Sequence, residues 1–192
     1  MIAGPSGVGK GTVVRRVREK VPDLYLSVSV TTRPPRPIER PGIDYVFVDD
    51  AEFDRMIAAG ELLEWAEVFG SRYGTPAEPI RRERDAGRDV VLEIDVQGAG
   101  QVRRAVPDAV LIFLEPPSLD ELRRRLESRG TEDAERLERR LATAERELDA
   151  RPWFDHVVVN DDLERASSQV AAIIQGSRSP AGSTTSEGPA NP

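Results

Sequence analysis

Apolar side chains recur along this chain in two rhythms, and their alternation predicts strands alternating with helices. Met1-Ile2-Ala3 is a strand stub ahead of a glycine-rich turn. A helix is expected near Gly11–Lys20, with Val13, Val14 and Val17 on one face. LYLSVSV, from Leu24, reads as one strand. Asp50 can cap a helix over Ala51–Ala59 that stops at Gly60, and ELLEWAEVFG then reads as a strand. Thr75-Pro76 open a further helix that ends at Gly87. DVVLEIDV and AVLIFLE are near-continuous apolar runs, as expected of parallel strands covered on both faces. Ser118 with Glu121 makes a capping box, and Leu137, Leu141, Ala144 and Leu148 mark a long helix after Thr131. HVVV is a last buried strand, beginning at His156. Asp161 and Glu164 cap the final helix, with Leu163, Val170 and Ile174 on its apolar face. The whole predicts an α/β fold: a parallel sheet core flanked by helices.

Composition narrows the chemistry. A chain of 192 residues suits one domain and is long enough to bury a core without disulfide or metal staples. Net charge is −7, which argues against a nucleic-acid partner and directs attention to where the arginines cluster. Cysteine is absent, so thiol catalysis and thiolate metal sites are excluded, and the lone His156 excludes a multi-histidine site. No apolar run reaches the roughly 18 residues of a membrane helix, and the start shows no secretory pattern. A soluble, cytoplasmic chain with no membrane association and no obligate protein partner is therefore expected. Residues 177–192 carry no Leu, Ile, Val or aromatic side chain and are expected to be a disordered tail.

The glycine-rich turn carries the first motif. Gly4-Pro5-Ser6-Gly7-Val8-Gly9-Lys10 fits a phosphate-binding loop, in which curled backbone presents N–H groups to phosphate and a lysine adds a point charge. The position that supplies a Mg²⁺-ligating hydroxyl in the strict motif is Gly11, with Thr12 after it. Mg²⁺ accompanying the nucleotide is then expected to be held through water. Glu93 and Asp95, two apart at the C-terminal end of an apolar strand, put two carboxylates on one face where open α/β sheets bind ligands. These are the candidates for its water shell. Arginines crowd LRRRLESRGTEDAERLERRL. Most read as a solvated helix face, although Arg125 and Arg129 share one face at i, i+4 spacing.

Taken in order, GPSGVGKGT, SVTTRPPR, DYVFV, LLEWAEVFGSRYGT, LEIDVQG, FLEPPS, LRRRLESRGTE, ERRL and VVVNDD resemble the guanylate kinases. The likeness covers residues 4–176. It implies a phosphotransferase taking ATP and GMP (with dGMP), and Mg²⁺. It implies a core at 1–28, 81–118 and 142–176, an inserted GMP-binding lobe at 29–80 and a helical lid at 119–141. By that resemblance, Gly4, Pro5, Ser6, Gly7, Val8, Gly9, Lys10, Gly11, Thr12 and Asn160 face ATP. Arg33, Arg36, Tyr45 and Tyr73 hold the GMP phosphate, and Ser29, Glu64, Thr75 and Asp95 read guanine. Lys10, Arg33, Arg125, Arg129 and Arg140 carry catalysis. The family usually has Asp where this chain has Glu93, so a salt-bridged structural role competes there. Pattern alone also allows Glu64 to point outward and Trp65 inward. A guanylate-kinase-like binding module is the alternative; such modules tend to lose the lysine and lid arginines kept here.

Overall fold

The two-residue strand β1 (Ile2–Ala3) lies between partners from far along the chain. It pairs in parallel with β8 (Ile112–Glu115), which pairs in parallel with β9 (His156–Val159). On its other side, Ile2 N–H donates to Leu92 O at 2.8 Å and Ile94 N–H donates to Ile2 O at 3.2 Å. These bonds join it to the parallel pair β2 (Tyr25–Leu26) and β7 (Val90–Val91). The resulting layer runs β2-β7-β1-β8-β9, so the stub is held on both edges, and both its side chains are buried. This computed structural model describes residues 1–128 and 134–177, apart from the side chains of Ala134 and Arg136.

Helices cover both faces of the layer. On one, α1 (Lys10–Lys20) and α7 (Leu163–Gly176) bring Val13, Val14 and Val17 against Val170 and Ile174, over Leu114 and Val158. On the other, α3 (Ala77–Asp85) and α4 (Val96–Ala105) place Ile80, Ala99 and Val102 over Ala3, Leu92 and Ile94. Each fully buried aliphatic side chain contributes roughly 1.5–3 kcal/mol, before ordering costs. A second sheet runs in the order β4 (Val46–Phe47), β3 (Val30–Thr31), β6 (Ser71–Pro76), β5 (Leu62–Val68), with β6 antiparallel to both neighbours. Helix α2 (Asp50–Ala58) packs its buried Phe53 edge-on to Trp65. Two further helices, α5 (Leu119–Glu127) and α6 (Ala134–Leu148), form a separate small core from Leu122, Leu126, Leu141 and Ala144.

Several expectations are corrected. LYLSVSV is not one strand: Tyr25–Leu26 pair with β7, whereas Val30–Thr31 belong to the second sheet. The helix expected from Thr75-Pro76 is present, but the two residues themselves are extended. They end β6, opposite Glu64 and Leu62, and α3 begins one residue later with Pro76 as its cap. Helix α4 was not anticipated. In both Asp-Asp pairs the helix cap is the neighbour of the expected one: Asp49 accepts from Glu52 N–H and Asp162 from Arg165 N–H, each at 2.8 Å. Strand β9 is an edge strand, so His156 and Val157 are exposed while Val158 is buried. Leu163 is likewise exposed, leaving Val170 and Ile174 as the buried face of α7. Ser118 does cap α5 through Glu121 N–H, as expected. Ser177, the first residue of the expected tail, closes α7 by donating to Ile174 O at 2.8 Å. The rest of that tail lies outside the described residues.

Candidate active site

The turn between β1 and α1 is built from its carbonyls outward. Gly9 caps α1 with φ 99°, and a Cβ there would stand 2.7 Å from Asn160 Nδ2, so only glycine suits both the turn and the neighbour. That amide, on the buried Asn160, donates to Val8 O at 2.7 Å. Lys10 Nζ folds back to Gly4 O at 2.6 Å and Pro5 O at 3.2 Å, holding the lysine over the loop at the positive end of α1. Thr12 Oγ1 accepts from Arg15 at 3.5 Å. Beside Gly11 lies Glu93, whose carboxylate oxygens are 3.4 Å from where a Cβ would sit. Burial raises the Glu93 pKa, and Lys10 and Arg15 pull against that.

The helical pair α5–α6 reaches the same loop. Arg125 donates to Val8 O at 3.2 Å and Asn160 O at 2.8 Å, and its Nε is held by Glu121 at 2.9 Å. Arg140 donates to Ser6 Oγ at 2.6 Å. Glu147, on the same helix as Arg140, turns its carboxyl toward Ser6 N–H and Lys10, and burial raises its pKa. Arg129 lies outside the described residues.

A second group forms on the inserted sheet. The Arg33 guanidinium meets Glu39 in a two-pronged pair at 2.7 and 2.6 Å, and its Nε donates to Tyr73 OH at 3.1 Å. Its planar end lies 4.9 Å from the centre of the Tyr45 ring, and the Tyr45 and Tyr73 rings are 6.1 Å apart. Arg36 joins through its backbone N–H, which donates to Glu39 Oε2 at 2.8 Å. Arg33 holds the Glu39 pKa below the usual carboxylate range, whereas burial and then Glu93 push the Tyr45 phenol up.

The third group is buried. Glu64 is 4% exposed and Trp65 39%, so the carboxylate, not the indole, points inward. The cause is a register shift between Leu62 and Glu64, which exchanges the faces of β5. Thr75 Oγ1 donates to Glu64 Oε1 at 2.6 Å. Burial pushes the Glu64 pKa up to about 7, with Asp95 adding to the rise and the Thr75 hydrogen bond opposing it. Asp95 caps α4 by accepting from Gly98 N–H at 2.7 Å. A Cβ at Gly98 would overlap Glu64 Oε2, so the absent side chain makes the space that the carboxylate fills. Gln101 fastens α4 to β5, accepting from Trp65 N–H at 3.2 Å and donating to Trp65 O at 2.6 Å. Ser29 enters this region through its carbonyl, which accepts from Val46 N–H at 2.9 Å.

The groups meet at two carboxylates. Glu93 lies against Gly11 of the phosphate loop, and Asp95, two residues on, caps the helix whose Gly98 packs against Glu64; Lys10 opposes the burial-driven rise of both carboxyl pKa values. Lys10, Arg33, Tyr45, Glu64, Tyr73, Thr75, Glu93, Asp95, Arg125 and Arg140 are thus linked around one site. Arg36 reaches only Glu39, through its backbone N–H, and Ser29 only Val46, through its carbonyl, so neither side chain is brought to these residues by the contacts given above. Sequence reasoning missed Glu39, Gly98, Gln101 and Glu147. Only Glu39 left a signal, an acidic residue a short Pro-rich turn after two arginines.

Comparison with known proteins agrees in extent. The guanylate kinase family model matches residues 1–177. A guanylate kinase of Thermobifida fusca (strain YX) is 56% identical over 174 residues, which is 91% of this chain and 89% of that one. A guanylate kinase of Streptomyces coelicolor is 54% identical over 173 residues, 90% and 88% of the two chains. Among solved structures, the guanylate kinase from Anaplasma phagocytophilum superposes with a TM-score of 0.77 at 36% identity, covering 92% of this chain and 84% of that one. The chain belongs to the guanylate kinase family.

Proposed function

We propose that this protein transfers the γ-phosphoryl group of ATP to GMP, giving ADP and GDP, with dGMP as a second acceptor. The observation that carries this reading is the buried Glu64–Thr75 pair, set beside the Arg33–Tyr45–Tyr73 group and linked to the phosphate loop through Glu93 and Asp95. A buried carboxylate accepts from the N1–H and exocyclic amine of guanine; adenine would oppose it with an acceptor and leave it unpaired. Arg33, with Arg36, Tyr45 and Tyr73, holds the acceptor phosphate; Ser29 meets an acceptor atom of the base, and Thr75, whose one hydroxyl proton goes to Glu64 here, does so only once guanine takes its place on that carboxylate. Lys10, the loop N–H groups of Gly4–Thr12, Asn160, Arg125, Arg129 and Arg140 hold the ATP phosphates. Transfer is in line between the two nucleotides, with no covalent enzyme intermediate, so these residues act by placement and charge stabilisation.

Glu93 and Asp95 supply hard oxygen donors beside Gly11 and Lys10, and Gly11 offers no hydroxyl. That donor set suits Mg²⁺ held through its waters and the nucleotide. When bound, the ion neutralises phosphate charge.

The three spatial groups support a division into a core, a GMP-binding lobe near 29–80 and a lid near 119–141. Ile80 packs in the core and Ala144 in the lid cluster, which trims the lobe toward Pro76 and lengthens the lid. Among the described residues, no helix is long and apolar enough to cross a membrane, and we place the enzyme in the cytoplasm. Lys10, Arg125 and Arg140 all reach the phosphate loop, which favours the enzyme over a guanylate-kinase-like binding module.

The test is an ADP-coupled assay with ATP and each of GMP, AMP, CMP and UMP. GMP is expected to exceed the others in kcat/KM by about 10⁴-fold, the discrimination that unpaired buried polar groups impose. Lys10→Ala should lower kcat by about 10²–10³ with the melting temperature held. Absence of GMP turnover, or equal turnover of AMP, overturns the reading.

A further inference from the structure

We infer that Phe69 is a positioning residue for Arg140: the tip of the β5–β6 hairpin aims a lid arginine at the phosphate loop. This rests on the reading of Arg140 as a contact to the ATP phosphates. Three observations carry it. Phe69 has φ 51° and Gly70 φ 77°, so both central residues of the turn joining Val68 to Ser71 are left-handed. The first position of such a turn favours Asn, Asp or Gly, and a bulky aromatic there is strained. Yet the ring is 43% exposed, so it is a poor contribution to any core. Its face instead lies under the Arg140 guanidinium, 5.6 Å from ring centre to Cζ, inside the roughly 6 Å reach of a cation–π contact. The same guanidinium donates to Ser6 Oγ at 2.6 Å.

The ring and the hydroxyl together restrict a long side chain that would otherwise sample many rotamers. Strain kept at a position that the fold does not need points to a use elsewhere. Here the use joins two substrates' sites. Strand β5 carries Glu64, and β6 carries Tyr73 and Thr75. A shift of this hairpin on acceptor binding therefore moves the platform under a donor-side arginine.

The experiment compares Phe69→Asn, Phe69→Leu, Phe69→Tyr and Arg140→Ala in kcat, KM for each nucleotide and melting temperature. Asn suits the turn, so its melting temperature should hold or rise by about 2–4 °C. Its kcat should nevertheless fall about 5- to 30-fold, the range implied by losing a partly desolvated cation–π contact, with KM for GMP within about twofold. Leu keeps the strain and apolar bulk without a π face and should lose kcat as Asn does; Tyr should keep the parent kcat. In an Arg140→Ala background, Phe69→Asn should change kcat by less than about twofold. A kcat for Phe69→Asn within about twofold of the parent, or a Tyr variant as slow as Asn, overturns the inference. If Arg140→Ala itself turns over at the parent rate, the role of Arg140 fails and the inference with it. If Arg140→Ala is slow and Phe69→Asn is not, the inference alone fails.

Discussion

To accept from a guanine edge, the Glu64 carboxyl must be ionised, and the folded protein makes ionisation costly. Its pKa stands at about 7 because burial and Asp95 penalise the charge. A carboxyl raised in the folded state stabilises that state below its ordinary pKa and loses the contribution as pH rises toward 7. Glu64→Gln should therefore be more stable than the parent at pH 8, by on the order of 3 kcal/mol, and nearly equal at pH 4, below the ordinary carboxyl pKa. Denaturant titrations at the two pH values check this. In catalysis the sign reverses. The parent KM for GMP should climb about tenfold per unit below pH 7, whereas the Gln variant should show a raised and flat KM. A parent KM that is constant between pH 5.5 and 8 would detach Glu64 from the base. Site residues that lie in contiguous motifs, such as Lys10 or Arg33, were legible because chain neighbours supply their context. Glu64 was only half legible, since inward and outward readings differed by one residue of register, and a bulge decided between them. Gly98 and Glu147 were not, because each gains its meaning from a distant element, while Glu39 left only its place one turn after two arginines.

At the scale of elements, the first turn of α4 is where fold and site share atoms. Asp95 caps the helix and places a second negative charge near Glu64. Asn keeps the cap and removes the charge; Ala removes both. Asp95→Asn should thus hold the parent melting temperature, while Asp95→Ala loses about 1 kcal/mol, or about 2–4 °C. Both should shift the KM profile for GMP toward lower pH, because Glu64 ionises more easily without its neighbour. Equal melting temperatures for the two variants would remove the cap from the account. Helices with a wide apolar stripe were legible, α1 and α7 above all. Helix α4 was not: Gly98 and Gly100 dilute its stripe, and its stability comes from a cap and from Gln101 on Trp65. Strand β6 was not foreseen, since Ser71-Arg72-Tyr73-Gly74 has no alternation of its own and takes its extended form from β5.

Across the whole molecule, closure should depend on how the arginines of lobe and lid are already paired. Loose arginines on lobe and lid would repel each other, but Arg33 is matched by Glu39 and Arg125 by Glu121. GMP must compete with Glu39 for one guanidinium, so its phosphate reorganises a contact that already exists. The distance from lobe to lid is then expected to change in steps, first with GMP and further with both substrates. The chain has no cysteine, so Ala51→Cys and Ala142→Cys, both exposed, give clean sites for a dye pair. Equal transfer efficiency in the free, GMP-bound and bisubstrate-bound protein would rule out the stepwise closure.

The central place of β1 also dictates a folding schedule. Its flanking partners, Leu92–Ile94 and β8, come some ninety or more residues later along the chain. A nascent chain emerging from a ribosome can close the β5–β6 hairpin from local contacts long before its first strand has a neighbour. Until then Ile2, Val13, Val14 and Val17 have no sheet to pack on, and the phosphate loop between them has no fixed shape. Pulsed hydrogen exchange during refolding should accordingly protect β5 and β6 before Ile2, and simultaneous protection of the two would remove the schedule.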